Sequence, residues 1–246
     1  MSAAAPLARR LVAIFDPYAP DAAVLDMALR LGAPSRVTLH ALFVEETEAM
    51  TLGSLPWARE VTLATGEARP LRATAVEREL QRSAASARAL FEAVAPGLAG
   101  ARFELVRGRL AAELARVAAD ASAVLLGWPP APRRSRAWAR TVTTALVALR
   151  VPIVGLVASR TDPSGLLVLE AGTRPGPGRA LARRLSPGQP RRIALQHGPC
   201  SARSLLERAR RESLGTLLIE REALEAADEL ICELALRWSG SILVVD

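Results

Sequence analysis

The feature that most constrains the fold is a repeated alternation of short apolar runs with amphipathic helical patterns. The run at residues 11–15 ends at Asp16, and the helical pattern that follows ends at Gly32. Runs at 123–126 and 153–157 are each flanked by helical patterns in the same way. Continuous apolar runs are typical of parallel strands that are buried on both faces. The order predicts an α/β fold with a Rossmann-like, doubly wound parallel sheet.

Two further strands complete a five-stranded sheet in this prediction. Residues 37–44 form an apolar run, whereas residues 101–106 alternate, with Phe103 and Leu105 set between charged side chains. The alternation indicates a strand with one wet face, as expected at the edge of a sheet. Residues 45–70 fit no regular pattern, and we interpret them as a long excursion with one helical turn.

The alternation begins again after a linker-like segment at residues 161–165, in a shorter form. We therefore predict a complete α/β domain at residues 1–160 and a truncated second copy at residues 161–246. The copy lacks one helix–strand pair from its middle. Its expected strands are 166–169, 193–195, 216–219 and 242–245, and its expected helices are 179–185, 202–211 and 224–237.

Composition excludes several kinds of chemistry. The chain has no lysine, so it has neither a Walker A phosphate loop nor a lysine for Schiff-base formation. It has two histidines and two cysteines, in no HExxH or CxxC pattern, so a zinc site is not expected. No serine or cysteine stands in a nucleophile elbow. We expect no enzyme activity and no metal.

Charge and hydropathy limit the partners and the compartment. The net charge of +7 comes from arginine alone, which indicates a genome rich in GC more than a nucleic-acid surface, so nucleic acid is not an expected partner. The longest apolar stretch, 145–158, is interrupted by Arg150 and Pro152, so no membrane insertion is expected. Free thiols suit a reducing compartment, and we expect a cytoplasmic protein.

Particular residues of the first half resemble the universal stress protein family. A strand ends in Asp16, a second strand carries Thr-Leu-His at 38–40, a third runs into Gly127, and a helix begins near Thr141. In members of that family that bind nucleotides, the aspartate at the first strand end helps to hold adenosine, and a loop of the form G-x2-G-x9-G-[S/T] holds the phosphates. Glycines let backbone N–H groups approach phosphate oxygens, and the helix amino terminus adds a favourable dipole.

The chain matches the phosphate loop in part. Gly127 stands at the first glycine and Thr141 at the closing hydroxyl, but Pro130 and Arg140 replace the other two glycines. Pro130 has no N–H to donate. The candidate nucleotide-binding residues are Asp16, Gly127, Arg133, Arg134 and Thr141, and the candidate ligand is ATP or AMP.

Several side chains have two open interpretations. The loop arginines either grip a phosphate or an acidic partner, or form a solvated surface. Asp16 either contacts a ligand at the carboxyl ends of the strands or bonds to the start of a turn. Glu170 takes the place of Asp16 in the second half, where the glycines at 172, 176 and 178 are expected to form a plain turn. His40 is expected in the core.

The resemblance also bears on assembly and function. Members of the family commonly pair through their last strands, so residues 153–157 and 242–245 are expected to form such a seam. The seam would lie within one chain, as a pseudo-dimer, or between chains in a homodimer. The expected function is that of a non-catalytic stress-response or regulatory module, which acts through an unknown protein partner or weak ligand binding. The alternative is an adenine-nucleotide sensor.

Overall fold

The computed structural model of the chain describes residues 9–32, 37–62, 64–98, 100–129, 134–159, 165–170, 176–185, 192–197, 200–224 and 228–246. Pro130, Arg133 and most of the linker at 161–165 lie outside these residues, as do the side chains of residues 192–197.

The first half contains seven strands and five helices among the described residues. In chain order they are β1 (Arg10–Ile14), α1 (Ala23–Leu31), β2 (Thr38–Glu46), α2 (Thr47–Ser54), β3 (Arg59–Val61), β4 (Ala68–Pro70), α3 (Ala73–Val94), β5 (Arg102–Gly108), α4 (Leu110–Ala118), β6 (Ala123–Trp128), α5 (Arg136–Ala148) and β7 (Ile153–Ala158).

The second half continues the alternation with four strands and three helices in its described residues. They are β8 (Gly165–Glu170), α6 (Pro177–Leu185), β9 (Arg192–His197), α7 (Ala202–Glu212), β10 (Thr216–Glu220), α8 (Asp228–Arg237) and β11 (Ser241–Val245).

One nine-stranded sheet runs through the described part of the chain, in the order β5-β2-β1-β6-β7-β11-β10-β8-β9. Neighbouring strands are parallel within each half. The predicted α/β class and the parallel, Rossmann-like sheet are confirmed. The five strands expected of the first half lie side by side, and β5 is an edge strand as its alternation predicts.

The two halves meet at an antiparallel pairing of β7 with β11. Val154 pairs with Val244, and Gly155 pairs with Leu243. These are the two strands that the family resemblance assigns to a seam, and here the seam lies within one chain. It extends past β11, where the backbone N–H of Asp246 donates to the carbonyl of Pro152 at 3.0 Å.

Helices cover both faces of the sheet, as a doubly wound fold requires. One apolar core lies between the sheet and α4, α5, α7 and α8. The other lies between the sheet and α1, α3 and α6. β1, β6, β7, β8 and β11 are buried almost throughout, which explains why their sequences are continuous apolar runs.

The excursion after β2 is more ordered than the sequence predicts. Instead of one helical turn it contains the eight residues of α2 and a hairpin of β3 and β4. The expected helix start at Asp21 is also displaced. Ala22 holds the cap position, and the Asp21 carboxylate accepts from the N–H of Ala23 at 2.7 Å.

Gly32 follows the last residue of α1, where the sequence predicts the helix to end. Its φ is −116°, which is extended backbone. A Cβ at this position would overlap Cγ2 of Val37 at the start of β2. The glycine therefore allows close packing of the helix end on the next strand.

Two arginines, one on a strand–helix connection of each half, cap a helix of the other half across the seam. Arg134, which precedes α5, donates to the carbonyls of Ala235 and Trp238 at the end of α8, at 2.9 and 2.6 Å. Arg221, which follows β10, donates to the carbonyls of Val147 and Val151 around the end of α5. Carbonyls at a helix end lack intrahelical partners, so each guanidinium satisfies groups of the opposite half.

No helix in the described ranges has both the length and the apolar character needed to cross a bilayer.

Replacing Arg221 by alanine tests the cross-seam caps. The Arg221 side chain is 11% exposed, donates to two carbonyls and pairs with Asp246. Hydrogen bonds from a charged donor contribute about 1.5–3 kcal/mol each, so we expect R221A to lower the free energy of unfolding in urea by about 2–3 kcal/mol. Arg150 is exposed, and R150A is the control, with an expected change within about 0.5 kcal/mol. Equal losses in both variants would contradict this role.

Candidate functional site

The crevice at the carboxyl ends of β1 and β6 is the place where an open α/β sheet binds ligands. Chain connections leave β1 toward β2 on one side and reach β6 on the other, so the strand order reverses there. Asp16 follows β1 in this crevice and is only 3% exposed. Its Oδ1 accepts from the N–H of Tyr18 at 3.0 Å. Asp16 therefore forms the hydrogen bond to the start of a turn, which is one of its two interpretations.

Gly127 lies on β6 directly beside Asp16. A Cβ at Gly127 would stand 2.9 Å from the backbone nitrogen of Asp16 and 3.4 Å from the carbonyl oxygen of Ile14. Both neighbours are backbone atoms of β1 and the residues after it. The close approach of two strand ends thus requires a glycine here whether or not a phosphate binds.

The same crevice also contains Glu46, at the end of β2. Its Oε1 accepts from the N–H of Leu110, the first residue of α4, at 3.3 Å. Burial raises the pKa of Glu46, although the hydrogen bond from Leu110 opposes this. Partial desolvation, followed by the charges of Glu46 and Asp16, raises the pKa of Tyr18. The crevice therefore contains two carboxylates, and the charge of Arg109 acts on Glu46.

Arg134 and Thr141, the other predicted site residues that the structure describes, have different contacts. Arg134 donates from Nε to the carbonyl of Pro129 at 2.6 Å, besides capping α8. Burial lowers the pKa of Arg134 to about 10. Thr141 is exposed and is the sixth residue of α5, where backbone N–H groups already bond within the helix. Arg133 lies outside the described residues.

Charged residues fill the corresponding crevice of the second half. Glu170 ends β8 with a fully buried side chain, and Arg179 of α6 holds both its oxygens, at 2.9 and 2.6 Å. These hydrogen bonds, and the charges of Glu170 and Glu220, raise the pKa of Arg179. Sequence reasoning placed Glu170 here but missed Arg179, although a basic residue nine positions after a strand-end acid is a usable signal.

Glu220 occupies the amino terminus of α6. It ends β10, is 7% exposed, and its Oε1 accepts from the N–H of Gly178 at 3.2 Å. A Cβ at Gly176 would overlap the Glu220 carboxylate, so this glycine makes room for it. The segment that was expected to form a plain turn therefore also leaves room for the Glu220 carboxylate. Gly172 lies outside the described residues.

One helix amino terminus in each half therefore holds a carboxylate from the protein. Glu46 reaches α4 in the first half and Glu220 reaches α6 in the second. The partial positive charge of a helix amino terminus is the usual attraction for a phosphate, and these carboxylates already satisfy it. A nucleotide phosphate at either place would have to displace or approach a carboxylate of the protein, which is half-buried for Glu46 and buried for Glu220.

His40 is buried in the sheet near the opposite end of β2. Its side chain has no exposed surface and lies 2.7 Å from Oε2 of Glu104 and 3.1 Å from the guanidinium of Arg102. Burial lowers the pKa of His40, followed by the charge of Arg102. The expected core position is confirmed. In the part of the chain that the structure describes, no three His, Cys, Asp or Glu side chains are grouped as a metal site requires.

The fold and the crevices define a class: a doubly wound α/β protein in two connected halves, with acidic crevices at the strand ends. No model of a known protein family matches the sequence. No curated protein matches it either.

Solved structures do resemble the chain over nearly its whole length. One is a universal stress protein from Archaeoglobus fulgidus DSM 4304, with 10% identity and a TM-score of 0.52 over 98% of this chain and 96% of that chain. Another is a functionally unknown protein from Pseudomonas aeruginosa PAO1, with 10% identity and a TM-score of 0.51 over 97% and 92%. A putative universal stress protein from Pseudomonas aeruginosa UCBPP-PA14 has 11% identity and a TM-score of 0.51 over 97% and 93%.

These likenesses show the fold of the universal stress proteins, as the residues around Asp16 and Gly127 predict. They extend across both halves of the chain.

Replacing Gly127 by alanine tests whether this glycine serves packing. The added Cβ would press on the backbone of Asp16, so we expect G127A to lower the free energy of unfolding by about 1–3 kcal/mol with or without ATP. Gly97 is the matched control because a Cβ there meets nothing within 4 Å, and G97A should change stability by less than about 1 kcal/mol. An undiminished stability of G127A in urea or thermal unfolding would contradict the packing role.

Proposed function

We propose that the chain is a tandem protein of the universal stress type that acts as a non-catalytic stress-response or regulatory module in the cytoplasm. It works through contacts with a protein partner or through weak binding of a small ligand. The fold that it shares with the universal stress proteins supports this proposal. The observation that carries it is the pair of carboxylates, Glu46 and Glu220, on helix amino termini in the crevices.

The proposed tandem organisation follows the strand order. The first half has the order β5-β2-β1-β6-β7, and the second half has β9-β8-β10-β11. The second order is the one expected of a copy that lacks the outermost strand. The antiparallel seam then joins the two copies as an intramolecular pseudo-dimer, and the second half takes the place of a partner subunit.

The proposed lack of catalysis rests on where the reactive groups lie. The side chain of His40 is fully buried in the sheet and has charged neighbours. It lies near the end of β2 that is remote from the crevice. Asp16, Glu46 and Tyr18 supply carboxylates and a phenol to the crevice, whereas phosphoryl transfer depends on cations that stabilise the transferring group.

Calorimetric titration with ATP and AMP tests the proposal directly. Pro130 and Arg140 replace two glycines of the phosphate loop before α5, and the amino termini of α4 and α6 already hold carboxylates. We therefore expect no saturable heat and no shift in melting temperature at millimolar nucleotide, with or without magnesium. Asp16→Ala should behave like the wild type in this titration, and so should Asp26→Ala, an exposed control on α1.

The opposite result would make the protein an adenine-nucleotide sensor. That result is micromolar binding of ATP or AMP that is lost in Asp16→Ala and retained in Asp26→Ala. Turnover of ATP in the same samples would show an enzyme.

A further inference from the structure

A groove lies between α5 and α8, one helix from each half, above the antiparallel seam. Its volume is about 580 Å³, within the range of about 300–1,000 Å³ that is usual for small-molecule sites. Below it, a second and much smaller cavity of about 10 Å³ reaches the seam strands, where the walls are the apolar side chains Val154, Leu156, Ile242 and Val244. The groove and the small cavity share Thr143, Val147 and Ile231, so the small cavity continues the groove toward the seam strands.

The groove is polarised along α5. Arg136, Arg140, Thr144 and Val147 follow one another at helical spacing and line the same wall. At 1.5 Å per residue, the wall extends about 16 Å from Arg136 to Val147. One end of the groove is thus cationic and the other end is apolar.

The second half continues the same polarity on the facing wall. Leu224 and Ile231 line the groove with Val147, and Ile231 also contacts the small cavity above the seam. In the middle, the hydroxyl of Thr143 already donates to the carbonyl of Ala139 at 2.7 Å. An apolar chain in the groove would therefore not leave the Thr143 hydroxyl without a partner.

The cationic end has more positive than negative charge among the described side chains. Glu233 of α8 pairs with both Arg136 and Arg237, at 2.5 and 3.2 Å. Arg140 is exposed and forms no ion pair with the residues that the structure describes. Among the side chains that the structure describes, one carboxylate thus faces three guanidinium groups, and Arg140 can bind a further carboxylate as a fork.

We propose that this groove binds a medium-chain carboxylate, with its carboxylate on Arg140 and its hydrocarbon chain against Val147, Leu224 and Ile231. The proposal names a ligand class and a place for it, and it goes beyond the proposed function. It does not depend on the nucleotide result, because the groove lies on a helix-covered face of the sheet and the crevices lie at the strand ends.

Titration of the full chain with decanoate tests the proposal. We expect saturable binding that weakens as ionic strength rises, since part of it is an exposed charge pair. R140A should weaken it about tenfold, the loss expected for one hydrogen bond to a charged group. R150A removes an exposed arginine that lies two residues after α5 and does not line the groove. It should leave decanoate binding unchanged. Acetate and decanol should each bind more weakly than decanoate, because each lacks one of the two features.

The position of the ligand is tested through Cys232, whose side chain lines the groove. The chain has two cysteines, so Cys200→Ser leaves Cys232 as the single thiol. Decanoate should slow alkylation of that thiol by iodoacetamide, and acetate should not. Thr144→Trp, an exposed substitution over the groove, should abolish the protection while leaving the melting temperature unchanged.

Three results would overturn the proposal: no saturable binding of decanoate, equal binding by R140A and the wild type, or binding that leaves Cys232 unprotected. A finding of ATP binding would overturn the proposed function and would leave this inference standing.

Discussion

The antiparallel pairing of β7 with β11 is the interaction on which the rest of the structure depends. β7 is buried along its whole length, so as an edge strand it would expose unpaired backbone groups next to an apolar surface. The second half has only four strands in the described residues, and it needs the same neighbour. Because the two halves pair, neither β7 nor β11 is an edge strand, and α5 lies beside α8. The cross-seam caps of Arg134 and Arg221, and the groove between the two helices, follow from that placement.

The same arrangement explains the character of the crevices. Each half ends its first strand in an acid, and each places a further carboxylate, Glu46 or Glu220, on a nearby helix amino terminus. The partial positive charges at the amino termini of α4 and α6 are therefore neutralised by carboxylates of the protein. Carboxylates at these positions oppose the approach of an anion.

The local pattern of apolar residues was sufficient to predict most strands of the sheet. Buried strands such as β1, β6 and β7 are continuous apolar runs, and the family resemblance assigned Asp16 and Gly127 to one candidate site. The hairpin of β3 and β4 escaped prediction because its six residues are largely exposed and have no burial pattern.

The candidate site was harder to predict, because its decisive contacts join residues that are remote in sequence. Arg134 contacts Ala235, 101 residues away, and Glu220 contacts Gly178, 42 residues away. An arginine in a Pro-rich loop has the same local sequence whether it grips a phosphate or caps a distant helix. Only the tertiary fold separates these two roles.

Cross-linking across the seam tests the central claim most directly. Val154 and Val244 are opposite each other in the antiparallel register, where paired Cα atoms lie about 4.5–5.5 Å apart, within the reach of a disulfide. Cysteines at these two positions, in a chain with Cys200 and Cys232 replaced by serine, should form a disulfide within single chains upon mild oxidation. The account predicts a monomer that migrates faster under non-reducing conditions. A disulfide-linked dimer, or thiols that stay free, would contradict a seam within the chain.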